Sequence, residues 1–149
     1  MTEGLRTVAV AFVGLAAGLT WYAYRTATIP TASPDRLVAE LRLAQFAALL
    51  LSLTAGVYVG FAVTHEATTG VGLDIALAVG FLVVAATTLV RDPRQALTII
   101  ALAFAAHAVV DVAHQPGALP QIAPRWYVLG CAIYDLYIGA LCYLPLLRR

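Results

Sequence analysis

Lysine does not occur in the sequence: all nine positive charges among its 149 residues are arginine. That excludes chemistry built on a lysine amine, the Schiff-base attachment of a retinal-type chromophore included. Charge of either sign is scarce. Only 11% of the residues are charged and 62% are hydrophobic, whereas a soluble domain carries about 25% charged residues. Such a chain cannot cover itself with a polar surface. A formal net charge of +1 and the lack of a basic patch exclude nucleic acid as a partner. No GxSxG, Walker loop, CxxC or HExxH is present, so the familiar hydrolase, nucleotide, redox and zincin signatures are missing. The two cysteines, Cys131 and Cys142, share one apolar stretch. On a helix their Cα atoms stand roughly 16 Å apart, too far for a disulfide.

What the sequence does have is apolar runs. Five stand out: Thr7–Tyr24, Leu43–Val63, Val71–Val90, Ala96–Ala113 and Trp126–Leu147. Each approaches the ~20 residues a helix needs to cross the hydrocarbon core. The first ends in bulky Trp21, Tyr22 and Tyr24, so it reads as a span and not as a signal peptide with a small-residue cleavage site. The expectation is an all-α, polytopic transmembrane helical bundle of five spans, forming a single domain over residues 1–149. Four spans are the fallback, with the short third or fourth stretch re-entrant.

Local signals mark the boundaries. Ser33-Pro34-Asp35 sets a capping serine before a proline at the first helical position. Asp92-Pro93 repeats the device for the fourth helix. Pro116, Pro120 and Pro124 make the fourth connection irregular. Arg25, Arg36, Arg42, Arg91, Arg94, Arg148 and Arg149 fall on one side of the membrane, and Arg6 and Arg125 on the other. The positive-inside rule then expects the N-terminus outside and the C-terminus in the cytoplasm. The composition is that of a high-GC prokaryote, which makes the expected location its inner or plasma membrane. Gly14 with Gly18, and Gly56 with Gly60, form GxxxG pairs that let helices approach closely, inside the bundle or across a homodimer.

On this topology the histidines and four carboxylates gather in the half facing away from the cytoplasm. His65 and Glu66 fall in the second connection, and Asp74 in the first turn of the third span. There an acid also favours a helix N-terminus. Asp35, Glu40 and Asp92 instead neighbour arginines on the inner side. His107, Asp111 and His114 follow one another at i, i+4 and i+7, within an arc of roughly 60° on one helix face. Asp135 lies roughly 13 Å below the outer end of its helix and His107 about 10 Å below the end of its own. An Asp at that depth costs about 2.5–3.5 kcal/mol unless it finds a partner, and a His107–Asp135 pair supplies one.

Imidazole and carboxylate together suit zinc, iron or manganese. The candidate ligands of a divalent metal ion are therefore His107, Asp111, His114 and Asp135, with Glu66 or His65 as general base. Three readings compete. The preferred one is a metal-dependent membrane enzyme, most simply a hydrolase, acting on a lipid-like or apolar substrate. The others are a metal-ion or proton relay and a non-catalytic accessory subunit. Finally, the string His107-Ala-x-x-Asp111-x-x-His114 followed by Cys131-x-x-Tyr134-Asp135 resembles a small integral-membrane family of unknown function, over about Ala106–Leu144. That resemblance implies these residues matter and names no reaction.

Overall fold

The computed structural model describes residues 3–64, 71–114 and 123–147. They form five helices: α1 Glu3–Thr28, α2 Pro34–Thr64, α3 Val71–Thr88, α4 Pro93–Ala113 and α5 Arg125–Leu147. All five are long and apolar enough to cross a membrane, and among the described residues there is no strand. The chain is thus a multi-pass, all-helical membrane protein, and the four-span fallback does not apply. Even α3, with 18 residues, reaches about 27 Å, close to the thickness of the hydrocarbon core.

The boundary signals act as expected. Ser33 Oγ accepts from the Asp35 N–H at 3.2 Å. Asp92 Oδ1 accepts from Arg94 N at 3.0 Å and from Gln95 N at 3.4 Å, satisfying amides that the first turn of α4 leaves open. Hydroxyls within the spans fold back on their own helices, as Thr54 does on the Leu50 carbonyl at 2.7 Å. This hides a polar group from lipid at little cost.

Helices α2, α4 and α5 form the centre, with α1 laid against α5 and α2, and α3 against α2 and α4. Leu43 and Leu51 of α2, Leu97, Ile100 and Phe104 of α4, and Ile138 of α5 are completely buried and fill the middle of the bundle. Outward-facing Val10, Leu49, Leu102, Val109 and Ile133 are well exposed, as a lipid-facing surface requires. Among the described glycines only Gly139 lies tight against another helix, where an added Cβ would stand 3.1 Å from the Ala101 carbonyl oxygen. A Cβ at Gly14, Gly18, Gly56 or Gly60 would meet nothing within 4 Å. The glycine that lets two backbones approach is therefore Gly139, one helical turn from Asp135, and not a member of either GxxxG pair.

At the arginine-rich end, Arg36 and Glu40 are each only 3% exposed. Arg36 Nε meets Glu40 Oε1 at 2.7 Å. Its Nη1 donates to the carbonyls of Thr26 at 2.5 Å and Ile29 at 3.0 Å, and its Nη2 to that of Pro145 at 2.6 Å. Those carbonyls lie at or just past the C-terminal ends of α1 and α5, where intrahelical donors run out. One side chain thus caps two helices, with its positive charge at the negative ends of their dipoles.

Candidate functional site

The opposite, arginine-poor half of the bundle holds a second buried polar group. Helix α4 contributes His107, Asp111 and His114 from one face, α5 contributes Cys131 and Asp135, α2 contributes Tyr58, and α3 contributes Asp74. All are buried, and Asp111 and Asp135 are wholly inaccessible. His107 Nδ1 lies 2.6 Å from Asp135 Oδ2. The partnership that equal depths in the membrane implied is made directly. The same nitrogen is 3.6 Å from Asp111 Oδ2, too far for a hydrogen bond. Tyr58 donates its hydroxyl to Asp111 Oδ1, and Cys131 Sγ is 4.0 Å from Asp135 Oδ2. Edge-on packing by Phe81 at 4.7 Å and Tyr58 at 5.6 Å between ring centroids holds the His107 ring plane.

His107, Asp111, Cys131 and Asp135 each offer one ligand atom, and these atoms all lie within 4.8 Å of one another. The set could hold a metal ion. It differs from the expected one at a single position, with Cys131 in place of His114. Both nitrogens of His114 are engaged elsewhere: Nδ1 with the Val110 carbonyl at 2.8 Å and Nε2 with Asp74 Oδ1 at 2.8 Å. A carbonyl only accepts, so Nδ1 carries a proton and Nε2 faces the carboxyl of Asp74. This second His–Asp pair ties α4 to α3 at the C-cap of α4. Asp74, at the N-terminus of α3, therefore has a side-chain partner in addition to a favourable place in the helix dipole. His65 and Glu66, the candidate general bases, lie outside the described residues.

Cys131 escaped the sequence reading as a ligand, although Cys131-x3-Asp135 is the i, i+4 spacing that puts two side chains on one helix face. Tyr58 had no such signal. It is one aromatic residue in an apolar helix, and only the packing of α2 on α4 shows its role.

Electrostatically the group is unbalanced. Two carboxyls and a thiol face one imidazole, and the arginines that pair with carboxylates in the described residues, Arg36 and Arg94, are at the other end. Asp111 Oδ2, Asp135 Oδ1 and Asp74 Oδ2 have no hydrogen-bond partner among the described residues, nor do the buried hydroxyls of Tyr127 and Tyr134. Buried carboxylate oxygens are normally satisfied. Two close carboxylates in low dielectric must share a proton or a cation.

The fold and this set of side chains define a class: a five-helix membrane bundle with a buried His/Asp/Cys cluster. Residues 26–146 match the model of a family of unknown function, DUF6010, and the chain belongs to that family. The match takes in α2 to α5 and so reaches well beyond the C-terminal third in which the resemblance was read. No curated protein and no solved structure matches the chain.

Proposed function

We propose that the protein binds one divalent metal ion inside the membrane through His107, Asp111, Asp135 and Cys131, and uses it as a membrane enzyme on an apolar substrate. One observation carries the reading. A histidine, a thiol and two carboxyls, each carboxyl with an oxygen left unpartnered, converge within 4.8 Å in an apolar interior. A dication would answer both the missing partners and the surplus negative charge. The mixed nitrogen, oxygen and sulfur donors suit zinc best, with iron or manganese as competitors.

Hydrolysis is the reaction class preferred. A divalent ion held there would supply Lewis acidity, lowering the pKa of a water and polarising an acyl carbonyl. Ester hydrolysis would break the acyl C–O bond, the water oxygen going to the acid and its proton to the departing alkoxide oxygen. Cys131 also lines a cleft between α1 and α5, the side from which an apolar substrate would reach the four candidate ligands. His65 or Glu66 is the proposed general base. By the positive-inside rule the arginine-rich end is cytoplasmic, and the site belongs to the outer half of the membrane.

The hydrogen bonds between Asp135 and His107, Tyr58 and Asp111, and His114 and Asp74 also resemble a proton relay. The layer of Leu51, Leu97, Ile100, Phe104 and Ile138 beneath them is fully buried and apolar, however. A relay that stops there conducts nothing, which favours local chemistry over transport.

The test is metal analysis of protein purified without added metal or chelator. About one ion per chain is expected, lost in His107→Ala and Asp135→Ala, together with hydrolysis of acyl-ester lipid that a chelator abolishes. Folded protein without metal, which takes up none when zinc, iron(II) or manganese is supplied, would defeat the reading.

A further inference from the structure

A cleft of about 210 Å³ opens between α1 and α5 toward the lipid. Its walls include Phe12 and Val13 of α1 and Tyr127, Gly130, Cys131 and Tyr134 of α5. Val13 is 69% exposed at the rim. Deeper along the helices, Phe12 packs edge-on against Tyr134 at 5.2 Å between centroids, and Thr20 Oγ1 and Tyr137 OH share a hydrogen bond of 2.7 Å. The first contact forms part of the cleft wall, and the second fastens α1 to α5 beyond it.

Two features set the cleft apart from the rest of the apolar exterior. Cys131 belongs both to its wall and to the candidate metal set. The hydroxyls of Tyr127 and Tyr134, which also line it, are buried without a partner, a costly state for an O–H group. Two tyrosine O–H donors without a hydrogen-bond partner, in the wall of an apolar slot, suit an acceptor that brings no charge into an acidic neighbourhood. An ester carbonyl is such a group; a carboxylate is not. The volume is below the ~300 Å³ at which pockets begin to enclose a whole drug-sized molecule. Only the end of a chain fits, and the rest stays in the bilayer.

We infer that this cleft takes the carbonyl-bearing end of one acyl-ester lipid directly from the membrane and sets its carbonyl beside Cys131. The chemistry at that carbonyl rests on the metal-enzyme reading; the binding does not. Gly130 makes the test possible, because a Cβ there meets nothing within 4 Å and a larger side chain would grow into the cleft.

The probe is a hexadecanoyl methyl ester with a diazirine near its carbonyl, compared in nanodiscs with the matching alkyl ether. Ester cross-links are expected to concentrate on residues 8–13 and 126–134, with about tenfold fewer from the ether, the worth of a lost hydrogen bond or two. Gly130→Phe, or Ala9→Phe from the α1 wall, should remove most of them and leave metal content unchanged. The double variant Tyr127→Phe/Tyr134→Phe should erase the preference for ester over ether. Cross-links spread evenly over the lipid-facing surface, or unaltered by both wall substitutions, would overturn the inference. The two proposals fail separately. Cleft-confined labelling of a metal-free protein retains the cleft and removes the metal, whereas stoichiometric metal with scattered labelling does the reverse.

Discussion

Every guanidinium nitrogen of Arg36 has a partner: Glu40, the carbonyls of Thr26 and Ile29 at the end of α1, and the carbonyl of Pro145 near the end of α5. At the other end of the bundle, Asp111 and Asp135 are buried just as deeply, yet each keeps an oxygen with no partner. All the buried side-chain oxygens and nitrogens left unpaired among the described residues lie at that second end. Burial is common to both clusters; satisfaction is not. A buried ion pair whose donors and acceptors are matched is complete, and its role is to join helices. A buried set with surplus acceptors must share a proton or take up a cation. That contrast, more than the residue types, separates the structural cluster from the candidate functional one.

Five changes probe the contrast. The largest effect on folding is expected for Arg36→Met, which uncaps two helices and leaves Glu40 only the more distant Arg94, at 3.6 Å. Breaking a buried pair from one side costs about 3–5 kcal/mol, read as a large drop in thermal midpoint or loss of monodisperse protein. Next comes Tyr58→Phe, which removes the hydroxyl that orients Asp111. Loss of such a supporting hydrogen bond should weaken metal binding about 10–100-fold in a titration, with little change in helix content. His114→Asn is predicted to lower stability by about 1–3 kcal/mol through the lost bond to Asp74 while shifting metal affinity less than about threefold, because His114 lies outside the four-residue set. Metal loss comparable to that of Asp135→Ala would return His114 to the ligands. The smallest effect is expected for Gly18→Ala, which meets open space and should change the midpoint by no more than about 0.5 kcal/mol equivalent. Gly139→Ala, by contrast, must displace the Ala101 carbonyl and should cost about 1–3 kcal/mol.

Much of this is legible in the sequence, and the remainder is not for definite reasons. The spans follow from the lengths of the apolar runs, and Ser33-Pro34 and Asp92-Pro93 mark where α2 and α4 begin. Depth alone links His107 to Asp135, because a carboxyl inside the bilayer needs a partner at its own level. Cys131-x3-Asp135 carries the i, i+4 spacing that sets the thiol beside the carboxyl, but only the fold shows that His114 is taken up by Asp74 and that Cys131 stands in its place. Arg36 and Glu40 look like an ordinary i, i+4 pair near a helix start. Only tertiary packing shows the guanidinium closed over by α1 and α5. The GxxxG pairs are not used for close approach within the chain, which leaves the homodimer reading of their spacing standing; which glycine is used inside the bundle depends on how the helices are arranged around α4 and α5.

The most direct measurement of the central claim is the thermal midpoint of purified protein, stripped of metal and then reloaded, in wild type, Arg36→Met and Asp111→Asn/Asp135→Asn. A ligand that binds only the folded state at 100 times its Kd adds about 2.7 kcal/mol. The account predicts that reloading raises the midpoint in wild type, and raises it by a similar amount in Arg36→Met from a lower starting value. The double Asn variant, with its surplus charge removed, should be folded and indifferent to metal. A wild-type midpoint that does not move on stripping and reloading, or a double variant that still gains stability from metal, would contradict it.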